Sequence, residues 1–567
     1  MNSEKRRWNA SLFVLILALA AAAIASVTVY QMTAAKSAAK AKTGMVGGWM
    51  RQRGAQTGMP QTSGKSSRRQ APSRFQKHGG APSGKFAPSG TRQQMPKQGK
   101  SSFNERRSAQ NGFGRSRTNA ATSSTLSVQE FAVGAYALLF LAACASWLFL
   151  RRRRKTLDNS DEAPNHHIVS LVLAAGLLLR IGLAPWFSGH MDLMLFQNWA
   201  ERAAANLTHV YQTESIDYPP LYLYVLYALG KLAALPGLSG SYTWLLKLPA
   251  IFCDTLTAWL LYRIAKRCGA EKLGWLLLVF YLFNPAVLID STVWGQVDSI
   301  FTLLIVAAVT LLMERRLTGA TIVFALSVMM KPQGLIFLPV LAYSLLKYGK
   351  LKNGLTSFVA FGLTIVVLAL PFSFHAQGGA LWLVQLMQRT VSEYPFASVN
   401  AFNFFSLIGG NYKAQSAILF LLSYQTWGYV AIIAVSLLSL WVIWKQRGSE
   451  SAVAAALLQI SGVFTFASGM HERYLFPAIA LALLAYIYFR RTVYLYLAIG
   501  FSVTNLLNIY IVYYGSLSGE MSISYHWPMI LTSLLNTALF LILLGTVLTR
   551  GRSKPIRAEK EESLSNF

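Results

Sequence analysis

The sequence predicts an all-α polytopic membrane protein of about fourteen transmembrane helices, preceded by a disordered basic linker. Three observations carry this. Apolar runs of about twenty residues, enough to cross about 30 Å of hydrocarbon, recur along most of the 567-residue chain. Hydrophobic residues make up 54% of it and charged residues only 13%, a balance no soluble class shares. Short basic clusters flank the runs at intervals that gather them all on one side of a membrane. Alternating strands of about ten residues, the signature of a membrane β-barrel, are not seen.

The spans are expected near 8–30, 128–150, 167–187, 248–265, 272–290, 298–313, 317–331, 333–347, 354–373, 427–445, 451–468, 473–489, 492–514 and 527–549. The first is read as an N-terminal membrane anchor (residues 1–30). Its small-residue end, "LALAAAAIAS", also suits a cleaved signal, but the apolar run is long for one. Residues 31–127 form a linker rich in Gly, Ser, Gln and Pro, with no hydrophobic period and too little apolar surface to offset chain entropy. Residues 128–160 hold the second span and its Arg cluster, 161–550 the main membrane domain, and 551–567 a cytoplasmic tail.

Net charge is +30, and it is unevenly spread: the linker alone holds 18 Lys/Arg against one acid, Glu105. Such a segment suits an anionic surface, lipid headgroups or a polyanionic polymer; nucleic acid is not expected as a partner on a membrane scaffold. Cys144, Cys253 and Cys268 lie in or beside apolar segments, with no metal-ligand spacing or disulfide framework.

Orientation follows from the clusters "EKRR", "RRRRK", "RIAKR", "ERR", "KYGKLK", "WKQR", "RR" and "RGRSKPIR". With the spans above, all fall on one side, taken as cytoplasmic, as are both termini. The same parity decides residues 219–237. "PPLYLYVLYALGKLAALPG" is apolar enough to span, but a crossing there would put "RIAKR" and the clusters after it on the wrong side. It is therefore expected along the outer interface as a juxtamembrane helix, with Tyr222, Tyr224 and Tyr227 in the interfacial belt. In "SGHMDLMLFQNWAE" (188–201), Phe196 and Trp199 have the spacing to seat a second short helix there.

This topology puts the unusual polar residues together at the outer ends of spans, as if lining one wet cavity. "GHMD" offers His190 and Asp192 at a helix end, and "DYPP" joins Asp217 and Tyr218 to two prolines that force an extended approach to the next helix. "FNPAVLIDSTVWGQVD" ends one span at Asn284 and opens the next with Trp294, Gln296 and Asp298. "MMKPQG" places Lys331 and Gln333 below the outer surface, where an ionisable residue is costly and therefore a functional candidate. Asn400, Asn403 and the trio His471, Glu472 and Arg473 of "GMHERYLFP" complete the set. Asp254 and Arg180 lie inside spans and are expected only to orient other groups.

"DYPPLYLYVLY", "FNPAVLIDSTVWGQVDSIF", "KPQGLIFLPV" and "HERYLFP" together resemble the GT-C superfamily of integral-membrane glycosyltransferases, closest to bacterial mannosyltransferase-like proteins related to the second GPI-anchor mannosyltransferase. "GHMDLMLFQNWAE" followed by "DYPPL" is also similar to the glucosyltransferases that extend lipid-linked oligosaccharides in the endoplasmic reticulum. The resemblance covers roughly residues 165 to 515 and implies a GT-C fold with a long first outer loop. It implies transfer of a hexose, mannose or glucose, from a polyprenyl-phosphate-sugar to an extracytoplasmic glycan, polymer or protein, in a bacterial cell membrane. Asp192 matches the family's catalytic carboxylate, and inversion at the anomeric carbon is implied with it.

Such a transfer needs a base at the acceptor hydroxyl and positive charge at the departing phosphate. Asp192 is the expected base. Lys331 and Arg473, helped by His471, are expected at the phosphate. His190, Asp217, Tyr218, Trp294, Gln296, Asp298, Gln333, Asn400 and Glu472 are expected to contact substrate or shape the loops. No cofactor is expected; a divalent metal shared by Asp192, Asp217 and Asp298 is the disfavoured alternative. A transporter or flippase of lipid-linked sugars is the alternative function, but it calls for an internal repeat and a site at mid-membrane, and the chain shows neither.

Overall fold

The computed structural model describes residues 120–153, 166–188, 190–212, 216–446 and 448–549. The anchor expected near 8–30, the linker up to residue 119 and the tail from 551 lie outside the described residues. The described residues from Ala132 onward belong to one compact unit, and the packing described below lies within it.

Helices follow one another as α1 (Ala120–Arg153), α2 (His166–Leu183), α3 (Met191–Ala205), α4 (Pro220–Ala233), α5 (Tyr242–Arg267), α6 (Glu271–Leu282), α7 (Pro285–Leu288), α8 (Asp298–Met313) and α9 (Leu317–Met330). They continue as α10 (Leu338–Tyr348), α11 (Leu351–Ser373), α12 (Trp382–Ser392), α13 (Phe404–Leu407), α14 (Tyr424–Lys445), α15 (Ser451–Phe466), α16 (Pro477–Phe489), α17 (Thr492–Leu517) and α18 (Trp527–Leu548). Helix α1 starts at Ala120, so the last residues assigned to the linker are helical: "AATSSTLS" contains neither Gly nor Pro to stop them.

Among the described residues, seven helices are long and apolar enough to cross a membrane: α1, α2, α5, α11, α14, α17 and α18. An eighth is added if α6 and the segment Pro285–Trp294, bent by 46°, count as one span. The bend falls at Pro285, which lacks the N–H needed to continue α6; Asn284 caps the new start by accepting from the Ala286 N–H at 3.0 Å. This is a multi-pass helical membrane protein. The fourteen spans are not all present as full-length crossings. The expected spans at 298–313, 317–331, 451–468 and 473–489 are helices of 16, 14, 16 and 13 residues, about 20–24 Å long.

These short helices form the centre of the bundle. Every residue from Ser451 to Thr465 in α15 is buried, as is nearly all of α16. At one end they are flush with their longer neighbours. There Arg267 pairs with Glu314 at 2.9 Å, Ser449 donates to the Met313 carbonyl at 2.7 Å, and Tyr348 donates to the Gly448 carbonyl at 2.9 Å. The missing length therefore falls at the opposite end, where the helix ends are recessed behind α3, α4 and the connecting loops, which bury them.

Helices α3 and α4 pack on each other beside that recess, and α4 is the short helix that parity required. Their buried faces differ from expectation. Phe196, Trp199 and Tyr222 are inside, in a second core shared with Tyr211, Phe372 and Trp382. Outward go Met191, Met194 and Leu195, all exposed. At about 100° per residue, the row 196, 199, 200, 203 faces opposite the row 191, 194, 195, and the larger aromatic payload takes the interior. Two-residue strands β1 (Ser398–Val399) and β4 (Met470–His471) pair in parallel, Ser398 opposite Met470. This ties the loop after α12 to the "HERY" turn. A hairpin of β2 (Ile418–Leu419) and β3 (Leu422–Ser423) leads into α14.

Candidate functional site: a buried charge cluster in the recess

The recessed ends of α8 and α9 meet the ends of α3 and α17 and the loops after α7 and β4 in one packed cluster of charges. Asp298 opens α8, Lys331 follows α9, and the two meet at 2.8 Å with side chains only 3% exposed. Arg473 reaches Glu472 through Nη1 at 2.5 Å, Asp298 through Nε at 3.6 Å and Asp192 through Nη1 at 3.9 Å. Its guanidinium lies 5.0 Å from the Trp294 ring, and the Lys331 ammonium lies 5.9 and 5.7 Å from the rings of Tyr218 and Tyr474. Cations are thus held between carboxylates and aromatic faces.

Local sequence explains the placement of Trp294 and Gln296. Residues Ile289–Trp294 form a π-helical turn ending on Gly295 at φ +83. A side chain at Gly295 would be strained by that φ, and its Cβ would also lie 2.7 Å from Leu193. The turn lets the Asp290 carbonyl accept from the N–H groups of both Gly295 and Gln296, at 3.0 and 2.9 Å. It aims Trp294 and Gln296 at Asp192, whose Oδ2 accepts from Trp294 Nε1 at 2.9 Å and from Gln296 Nε2.

His190 caps α3: its Nδ1 accepts from the Asp192 N–H at 3.2 Å and from Trp294 Nε1 at 3.1 Å. With Nδ1 an acceptor, the ring proton sits on Nε2, which donates to Ser516 Oγ at 2.9 Å; that hydroxyl in turn donates to the Tyr513 carbonyl at 2.7 Å. Ser516, His190 and Asp192 therefore resemble a nucleophilic triad in outline but hold the wrong tautomer, because the imidazole gives a proton to the serine instead of accepting one. Burial holds His190 below its ordinary pKa, Asp192 opposes this, and Arg473 and Lys247 add to it.

Burial pushes the Asp192 carboxyl up, but His190, Arg473 and the Trp294 and Gln296 hydrogen bonds outweigh it and hold the group below the usual carboxylate range. Burial, with Arg473 and Lys331, lowers His471 to about 3, so its ring is neutral and brings no charge to a phosphate. Burial raises Glu472, against the pull of Arg473.

Of the sequence-predicted residues, His190, Asp192, Tyr218, Trp294, Gln296, Asp298, Lys331, His471, Glu472 and Arg473 converge here. Gln333 lies beside the Tyr474 hydroxyl, and Asp217 lies at the margin, its charge felt by Tyr211, Tyr218 and Tyr394. Asn400, at φ +54, spends its side chain on folding: Nδ2 donates to the Met521 carbonyl at 2.9 Å, and Oδ1 accepts from the Ile523 N–H at 3.0 Å. Asn284 and Asn403 cap helices α7 and α13. Arg180 and Asp254 form a fully buried pair at 3.6 Å between α2 and α5. Among the described residues, no three His, Cys, Asp or Glu side chains are grouped as metal ligands.

Sequence reasoning missed Lys247. This fully buried lysine of α5 donates to the carbonyls of Ala184, Phe187, Thr292 and Val293, at 3.1, 2.9 and 3.0 Å for Ala184, Thr292 and Val293. It fastens the chain ends that present His190 and Trp294. A lone lysine in "WLLKLPAIF" was a readable signal. Ser516, in "YYGSLSG", offered none.

Fold and site together define a polytopic membrane protein with a recessed, charge-paired polar site at one end of its bundle. Residues 196–393, about a third of the chain, match the family model described as GPI transamidase subunit PIG-U. No curated protein matches the chain.

The match corrects the function drawn from the motifs. "DYPPLYLYVLY", "FNPAVLIDSTVWGQVDSIF" and "KPQGLIFLPV" lie within 196–393 and align with a transamidase-subunit family, not with GT-C mannosyl- or glucosyltransferases. Hexosyl transfer is thereby overturned, and with it the polyprenyl-phosphate-sugar donor and its acceptors; Asp192 as catalytic base loses the reaction it was to serve. The flippase alternative gains nothing from the match, and the bacterial setting loses the resemblance it rested on. Physically, proline-started helices, interfacial tyrosines and short polar turns are what a recessed site in a helical membrane bundle requires; they specify architecture before reaction. Asp192 itself, ionised and accepting two N–H bonds, is a weak base.

Proposed function

We propose that the chain is a non-catalytic membrane subunit of a transamidase-type assembly, and that its recess holds the head of a glycosylphosphatidylinositol-type lipid. The observation that carries this is the composition of the cluster. Lys331 and Arg473 offer charge to a phosphate. Asp298 Oδ2 and Arg473 Nε, an ion pair at 3.6 Å, and Gln296 Oε1 are buried without a hydrogen bond and suit the hydroxyls of an inositol glycan. The tautomer of His190 argues for binding over bond-making. The matched family's description as a GPI transamidase subunit supplies the ligand class.

In this reading the basic end faces the cytoplasm and the recess faces the opposite compartment. Counting the short central helices as crossings keeps the clusters from "RIAKR" to "RR" (263–491) on one side among the described residues.

The test is binding of a synthetic inositol-phosphate glycolipid to the full-length protein in detergent, against phosphatidylinositol lacking the glycan. Tighter binding of the glycolipid is expected. Arg473→Gln should weaken it about tenfold or more, as for loss of a charged hydrogen bond, and the milder Gln296→Ala should weaken it less. Equal binding of the two lipids, or binding indifferent to both substitutions, would overturn the proposal.

A further inference from the structure

A second lipid-facing feature lies away from the recess. Leu173 of α2 and Phe252, Thr255, Leu256 and Trp259 of α5 line an open apolar groove of about 390 Å³. The α5 residues recur at helical spacing, so they form one continuous stripe. One turn beyond Trp259, toward the basic end, the Arg263 guanidinium lies 5.3 Å from the Trp259 ring. Arg263 is exposed and makes no ion pair among the described residues. Its neighbours Lys266 and Arg267, in contrast, are paired with Glu271 and Glu314.

From Phe252 to Arg263 the stripe runs about 16 Å at 1.5 Å per residue. That is about half the thickness of a hydrocarbon core. The groove is therefore one leaflet deep, with an apolar floor and an unneutralised cation at its mouth. Bulk acyl chains need the apolar floor alone. The guanidinium parked over the tryptophan at headgroup depth adds charge complementarity to an anion.

We infer that this groove is a binding site for an anionic diacyl phospholipid of the leaflet at the basic end. One acyl chain lies along Leu256, Phe252 and Leu173, and the headgroup phosphate meets Arg263.

The test uses the full-length protein in phosphatidylcholine bilayers titrated with phosphatidylglycerol brominated in its acyl chains, then with brominated phosphatidylcholine. The Trp259 contribution to fluorescence quenching is the difference between wild type and Trp259→Phe. It should be half-quenched at about fivefold less phosphatidylglycerol than phosphatidylcholine, as expected for one basic residue near the headgroups. Arg263→Gln should bring the two lipids to the same midpoint while leaving quenching itself intact. Equal midpoints in the wild type, or no Trp259 component, would overturn the site. So would reversal of quenching by soluble glycerophosphate, which would show recognition of phosphate without the chain. Should Trp259→Phe fail to fold, native mass spectrometry of wild type and Arg263→Gln decides the matter: retained phosphatidylglycerol must fall in the variant, and an unchanged number refutes the proposal.

Discussion

The two ends of the bundle use the same charged residues in opposite ways. At the basic end the pairs are wet: the Arg267 side chain is 63% exposed and its partner Glu314 is 30% exposed. Lys347 there gives its ammonium to the Ile443 and Gln446 carbonyls, and Arg491 donates to the Thr546 carbonyl at 3.0 Å. These contacts close helix ends and complement their dipoles. In the recess, Asp298 and Lys331 are each 3% exposed, and a third group, Arg473, crowds them. Desolvating such ions costs several kcal/mol each and is repaid only by close geometry. A bundle that needed only closed ends would not bury them. The contrast supports the proposal that this end, and not the basic one, holds the ligand.

The sharpest way to break that comparison is to remove one member of a pair at each end. Asp298→Ala leaves Lys331 buried beside Arg473 with its carboxylate gone, so it should cost about 3–5 kcal/mol. Lys331→Met should cost a comparable amount. The double variant Asp298→Leu with Lys331→Met should recover most of the loss, because it removes both desolvated charges together. Thermal unfolding in detergent measures all three. A single-site loss below about 1 kcal/mol would mean that the recess pair behaves like a surface pair, and the distinction between the ends would collapse.

A smaller effect sharpens the comparison by pH. His471 titrates near 3 in the folded protein, because burial and the Arg473 and Lys331 charges oppose its protonation, whereas an unfolded histidine titrates near 6.5. As pH falls below 6.5 the unfolded chain takes up a proton that the folded chain refuses, so stability declines. At about 1.4 kcal/mol per pH unit the loss reaches at most about 2 kcal/mol at pH 5. His190, also held low, adds to the decline. The slope of stability against pH between 7 and 5 should therefore be shallower in His471→Gln than in wild type. Identical slopes would show that His471 is not held neutral.

Much of this site was legible because burying charge leaves marks in sequence. Lys331 and Asp298 stood out as ions beside apolar runs, and parity of the basic clusters put them at the same end as Asp192 and Arg473. Helix periodicity also located α3 and α4, but could not say which face turned inward. Met191, Met194 and Leu195 are apolar too, and only packing against Tyr211, Phe372 and Trp382 decides for Phe196 and Trp199. The bounds of α8 and α9 were read closely, while α15 and α16 stop two and start four residues inside the expected spans. An apolar run fixes what surrounds a helix, not whether that surrounding is lipid or other helices, and α15 is wrapped by protein on every side. The reaction was read from motifs that specify architecture, so the error fell on chemistry. The tautomer of His190 was invisible in sequence, since it depends on the two N–H groups that converge on Nδ1 and on Ser516 from more than three hundred residues away.

The smallest expected effect lies at the wet end and completes the comparison. Arg267→Ala removes a 2.9 Å contact to Glu314, a geometry as good as that of Asp298 with Lys331. Water solvates both groups when the contact breaks, so the loss should be at most about 1 kcal/mol. Salt should screen what little there is, since exposed charges are damped over a Debye length of about 10 Å at 0.1 M. Unfolding of Arg267→Ala and wild type at low and high ionic strength should therefore converge as salt rises, while the deficit of Asp298→Ala stays constant. A salt-independent loss at Arg267 would show that distance, not burial, sets the worth of these pairs, and the recess would then need another explanation for its buried ions.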